Sequence, residues 1–306
     1  MNIVICTKRD LAGALVLNHL MPHLAEDRVM VLLSDKTRPA EKAQPELAEM
    51  KFLERELPVD VLFPLIDRLG GNGDAPLATF AGLQKRYGIS FHTLSDINAP
   101  EAQTLLGDFA PDVVLSVRFS LIFKRPALDI ARLGTWNVHP GALPRYAGLF
   151  APFRALVDGQ DRIGCTLHRI DDGIDTGPVA GIGWLPVQRE RSLLWHVVNT
   201  YGPGLELFLS MLSDMRRDRV PELSAQDRTQ RQYLSMPDAA QFAAFHQQGL
   251  RLSDREEYLE IVAGFLAPGQ TMPTAVHEAL DAVEAGTLGA AAPVEKVGAP
   301  CCCARA

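Results

Sequence analysis

The sequence predicts an α/β fold: a parallel sheet with helices on both faces, followed by a small helical extension. Two observations carry this. Short β-branched runs alternate with helix-period segments through the first 120 or so residues, and from about residue 236 only helical patterns remain. Alternation at this rhythm favours parallel strands, because each needs a long crossover to reach the next.

The first unit sets the pattern. Ile3-Val4-Ile5-Cys6 reads as a buried strand, Leu11, Leu15, Leu17, Leu20 and Leu24 recur at helical spacings, and Val29 to Leu33 resumes a strand. Residues 43–56 then read as helix, Val59 to Phe63 as extended, 76–86 as helix and Gly88 to Phe91 as strand. A short helix over 101–108 and a strand at Val113 to Val117 come next. Helices are expected over 238–247, 253–266 and 274–285. The expected organisation is a core over 1–235, a helical extension over 236–290, and a flexible cysteine-containing tail over 291–306, too poor in apolar groups to offset the entropy of ordering it.

Composition excludes several classes. With 306 residues, 47% of them apolar and 22% charged, the chain has globular composition. A net charge of −7 with no basic run beyond Arg216-Arg217 argues against nucleic acid as a partner. The N-terminus lacks signal-peptide features and no apolar stretch is long enough to span a membrane, so a soluble, cytoplasmic protein is expected. Cys6 and Cys165 sit singly in apolar stretches, and Cys301-Cys302-Cys303 lacks zinc-site spacing. The segment after the first strand, Thr7-Lys8-Arg9-Asp10, has no glycine and so no dinucleotide fingerprint, while the glycine cluster Gly70 to Asp74 reads as a turn.

Ligands of open α/β sheets sit beyond the carboxyl ends of the strands, which directs attention to the segments after Val117 and Trp136. Asn137 and His139 lie two apart on an expected strand and therefore share a face, and Pro140-Gly141 ends that strand. The glycines and proline of Asp171 to Pro178 force a tight loop that presents Asp175. An amide donor, an imidazole and a carboxylate suit attack of an amine on a carbonyl: Asn137 and His139 stabilise the oxyanion, and Asp175 orients His139 or helps take the proton. Neither motif supplies a serine or cysteine nucleophile. The aspartates lack calcium-loop spacing, and no metal site is expected. His92, His168, His196 and His246 fall outside the motifs and are expected to be packed or on the surface.

The NxHPGxLPxYxG run at Asn137 to Gly148 and the DxGxDTG run at Asp171 to Gly177, with His139 and Asp175 about 36 residues apart, resemble the two signature segments of the folate-dependent formyltransferase family. The resemblance implies a Rossmann-like formyltransferase fold, a catalytic trio of Asn137, His139 and Asp175, and 10-formyltetrahydrofolate as the formyl donor. It further implies that the pteridine lies between Phe119, Ser120, Leu121 and Ile122 and the loop Ile170, Asp171, Asp172, Gly173 and Ile174. Arg145 and Tyr146 are candidates to bind the acceptor in its cleft, the other reading being that they cap the turn. The expected acceptor is a primary amine of a small molecule, an amino sugar or a specialised-metabolite amine. No β-barrel pattern of the kind carried by methionyl-tRNA formyltransferases succeeds the core. That enzyme, a formyltetrahydrofolate hydrolase and a non-catalytic folate-binding relative are the alternatives, and a homodimer is an open option.

Overall fold

The computed structural model describes residues 1–34, 44–68 and 74–287. Among these residues seven strands form one sheet: β1 (Asn2–Lys8), β2 (Arg28–Ser34), β3 (Ser90–Leu94), β4 (Val113–Val117), β5 (Thr135–His139), β7 (Arg162–Arg169) and β8 (Val179–Pro186). A separate two-residue strand, β6 (Ala147–Gly148), pairs with β9 (Tyr233–Leu234). The sheet order is β3-β2-β1-β4-β5-β7-β8, parallel as far as β5 and antiparallel at β7 and β8. The expected parallel sheet is present from β3 to β5, and it is extended by an antiparallel edge that the apolar runs do not reveal. β7 and β8 are joined by the short 170–178 loop, which leaves no room for a crossover helix.

Both faces of the parallel strands are covered. Ile3 and Ile5 pack with α1 (Leu11–Leu20) and the long α7 (Leu193–Met215) in the larger core. Val4 and Cys6, facing the other way, pack with Leu106 and Phe109 of α5 (Pro100–Phe109) in the smaller one. Strands buried on both faces read as continuous apolar runs, which is why β1, β2 and β4 are visible in the sequence.

Val59 to Phe63, expected extended, is helical. α2 (Pro45–Lys51) runs directly into a π-helical segment, Phe52–Leu62, and then α3 (Phe63–Arg68). Leu53, Leu57 and Val61 bury one side of it, and Phe63 N–H reaches back to the Pro58 carbonyl in the wider π pattern. A short apolar run alone does not distinguish strand from buried helix.

The remaining helices are α4 (Phe80–Tyr87), α6 (Ala151–Val157), α8 (Ala239–Gln247), α9 (Arg255–Ala263) and α10 (Thr274–Glu284). Phe242 and Phe245 of α8 each meet the ring of Phe153 on α6 at 5.1 Å between centroids, so these helices share the larger core. Among the described residues no helix is long and apolar enough to cross a membrane. The cysteine tail and all but Asp74 of the Gly70 to Asp74 cluster lie outside the described residues.

Candidate active site

The strand order turns back between β1 and β4, and a cavity of about 350 Å³ opens there at the carboxyl ends of the strands. Asn137 and His139 enter it from β5, and Asp175 from the β7–β8 loop. Phe119, Ser120, Leu121, Ile122, Ile170, Gly173 and Ile174 line it as well. Ile122 and Ile174 are 59% and 43% exposed, two large apolar side chains among its lining residues.

His139 is buried, and its Nε2 donates to the Tyr146 carbonyl at 2.6 Å. A carbonyl only accepts, so Nε2 carries the proton and Nδ1 is the ring's remaining nitrogen, 3.6 Å from Asp175 Oδ1. This approach requires Gly141, where a Cβ would stand 2.5 Å from the Tyr146 carbonyl oxygen and 2.7 Å from His139 Nε2.

Asp175 adopts the left-handed conformation, φ 53°, rare for a residue with a side chain and held here by its surroundings. The Gly148 N–H donates to its Oδ2 at 2.9 Å, and Gln226 Nε2 donates to the Asp175 and Gly177 carbonyls at 3.1 and 2.7 Å. Gly177 lets the loop fold under itself, since a Cβ there would lie 1.8 Å from the Arg169 carbonyl oxygen. Burial pushes the Asp175 carboxyl up, but His139 and His168 in their protonated forms, together with the Gly148 N–H, prevail and hold it well below the usual carboxylate range.

The structure separates the remaining expected site residues. Asp171 accepts from the Gly173 N–H and the Thr176 hydroxyl, so it shapes the loop, while exposed Asp172 pairs with Arg125 at 3.2 Å. Arg145 and Tyr146, expected toward the acceptor, do not line the main cavity. The Tyr146 hydroxyl donates to Asp158 at 2.8 Å, the Arg145 guanidinium lies over the Tyr146 ring, and both residues line a second cavity. The Leu143-Pro144 bond is cis, and β6 follows it, paired with β9.

Other groups at the cavity are not legible in the sequence. His168, expected to be merely packed or exposed, lines the cavity with Nε2 3.1 Å from Asn137 Nδ2 and 3.7 Å from Asp175 Oδ1. Arg118, in the left-handed conformation just past β4, donates through Nε and Nη2 to Asp10 Oδ2 and through Nη2 to Glu54 Oε2 at 2.9 Å. Asp10 Oδ1 in turn accepts from Gly13 N–H at 2.7 Å, so the chain's own carboxylate occupies the anion position at the start of α1.

Residues 69–192 match the family model described as formyl transferase. A methionyl-tRNA formyltransferase of Dehalococcoides mccartyi is 30% identical over 174 residues, covering 56% of this chain and 54% of that protein. One from Kosmotoga olearia is 26% identical over 184 residues, covering 60% and 59%. The matched stretch therefore spans little more than half the length of these relatives. Among solved structures, a 4-N formyltransferase from Francisella tularensis shares the fold, with a TM-score of 0.51, 14% identity, and coverage of 88% of this chain and 90% of that one.

Proposed function

We propose, from the premise that this chain belongs to the formyl transferase family over residues 69–192, that it moves the formyl group of 10-formyltetrahydrofolate onto a primary amine of a small molecule. The observation that carries the reading is the convergence of Asn137, His139 and Asp175 on one cavity with apolar lips. In this reading Asn137 donates to the oxygen that gains charge as the amine nitrogen bonds to the formyl carbon. His139 Nδ1 accepts the proton the amine loses and returns it to the folate nitrogen as the old carbon–nitrogen bond breaks. Asp175, kept ionised, stabilises the imidazolium between those two transfers.

Three features support a small acceptor. The described residues after β9 form helices rather than a barrel, and the net charge is −7. The α1 N-terminus is filled by Asp10, which disfavours an acceptor anchored there through phosphate. Residues 1–235 serve as the catalytic domain of a cytoplasmic enzyme, with the helices α8 to α10 as its extension. The names of the matched relatives make aminoacylated tRNA the rival acceptor.

The test is incubation with 10-formyltetrahydrofolate and a panel of amino sugars, nucleotide-linked amino sugars, amino acids and methionyl-tRNA, following tetrahydrofolate release and acceptor mass. A formyl mass gain on a small amine, cut by about 10²- to 10⁴-fold in His139→Ala and Asp175→Asn, is expected. Release without any formylated acceptor would establish a hydrolase instead, and gain on tRNA alone would overturn the small-molecule assignment.

A further inference from the structure

We infer that His168 is the positioning residue of this site: it holds the Asn137 side-chain amide so that one N–H is tied back to the imidazole and the other is left for the cavity. The inference rests on the catalytic role proposed for Asn137, and its foundation is the antiparallel edge of the sheet. β5 and β7 place Asn137 directly opposite His168, the arrangement in which side chains on one face of neighbouring strands meet.

The tautomer is set by a partner that cannot donate. His168 Nδ1 lies 3.1 Å from the Arg169 carbonyl oxygen, so Nδ1 carries the ring proton. In the neutral ring Nε2 is then an acceptor, and it faces Asn137 Nδ2 at 3.1 Å. A side-chain amide has two N–H groups, so a bond from one of them to Nε2 fixes the rotation of the amide and with it the direction of the other. The ring itself has little freedom, being 2% exposed.

The rest of β7 is built to the same end. Thr166, on the same face two residues earlier, donates its hydroxyl to the Gly141 carbonyl at 2.6 Å and accepts from the Leu143 N–H at 3.1 Å. Cys165 and Leu167, on the opposite face, belong to the larger core. One face of β7 thus anchors the strand in the core while the other braces the segment running from Asn137 past His139, the kind of supporting contact that fixes a reacting group.

The experiment compares His168→Leu and His168→Gln, each alone and in an Asn137→Ala background, with two readouts. Steady-state kinetics use the acceptor identified from the panel. ¹⁵N–¹H spectra of the substrate-free protein follow the Asn137 side-chain amide, assigned from Asn137→Ala. His168→Leu is expected to lower kcat by roughly tenfold to a hundredfold with the KM for 10-formyltetrahydrofolate unchanged. His168→Gln, whose Oε1 accepts a hydrogen bond but does not titrate, is expected to recover most of that rate and to return the Asn137 amide signals toward the wild-type positions. In Asn137→Ala the His168 substitutions should cost little more, because residues acting as a unit are not additive. Recovery absent with Gln, fully additive losses, or Asn137 signals unmoved by His168→Leu would each overturn the inference. If the wild-type protein formylates no amine, the functional reading fails, while the amide signals still decide whether His168 orients Asn137.

Discussion

The parallel and antiparallel parts of the sheet both deliver charged groups to the same cavity, and they treat them in opposite ways. At the ends of β1 and β4, one guanidinium, Arg118, is shared by two carboxylates, Asp10 and Glu54, at hydrogen-bond distance. At the β5–β7 side, one carboxylate, Asp175, stands 3.6 and 3.7 Å from two imidazoles, too far for good hydrogen bonds. The first arrangement is closed on itself and suits stability. The second leaves proton-carrying groups that can change partners as charge develops on a substrate, which is what acid–base chemistry requires.

The largest effect on stability is expected where the charges are closed. Arg118→Leu leaves Asp10 and Glu54 together without their common partner, and removing one member of a buried ion pair typically costs about 3–5 kcal/mol. Urea unfolding should show the midpoint shifted accordingly, with part of the loss restored when Asp10→Asn and Glu54→Gln are added. An unchanged midpoint in Arg118→Leu would mean that the cluster does not hold the parallel half together.

This contrast also marks what a sequence can show. The parallel strands are buried on both faces and therefore legible as apolar runs, and Asn137 and His139 are legible because a strand's period of two is local. His168 is not, because its place beside Asn137 depends on an antiparallel register set by tertiary pairing across 31 residues. Glu54 sits on a π-helical segment and is brought to Arg118 over 64 residues, with no local pattern to announce it. Gln226 and Arg231 hold the Asp175 loop through the backbone carbonyls of Asp175, Gly177 and Ile174, contacts that no spacing rule anticipates. Tyr146 reads as a substrate contact because it belongs to a motif, whereas the motif uses its carbonyl.

Acid titration sharpens the comparison because the two sides carry opposite signs. Asp175 is depressed below the ordinary aspartate value of about 3.9, so its contribution is fully present above that pH and is lost as pH falls through the lower folded value. Glu54 is raised, because burial outweighs its share of Arg118 and Asp10 repels it, so stability from this group is present below the ordinary glutamate value of about 4.3 and declines as pH rises through the folded value. Stability measured against pH should therefore lose part of its acid-side rise in Asp175→Asn. In Glu54→Gln the contribution that declines with rising pH should disappear. Identical pH profiles for both variants and the wild type would remove the distinction between the two clusters.

The smallest expected effect separates the Tyr146 side chain from its backbone. Its hydroxyl donates to Asp158 at 2.8 Å, and burial together with that carboxylate pushes the phenol up to about 12. Its carbonyl accepts a hydrogen bond from His139 Nε2–H and so fixes which imidazole nitrogen faces Asp175. Tyr146→Phe keeps the carbonyl and loses only the hydroxyl, so it should cost about 1 kcal/mol of stability while kcat and the KM for acceptor stay at wild-type values. A raised acceptor KM would place the hydroxyl in the acceptor's path and return Tyr146 to the binding role the motif suggests. An unchanged KM means that the motif's tyrosine acts on the chemistry only through the bond its backbone makes to the histidine.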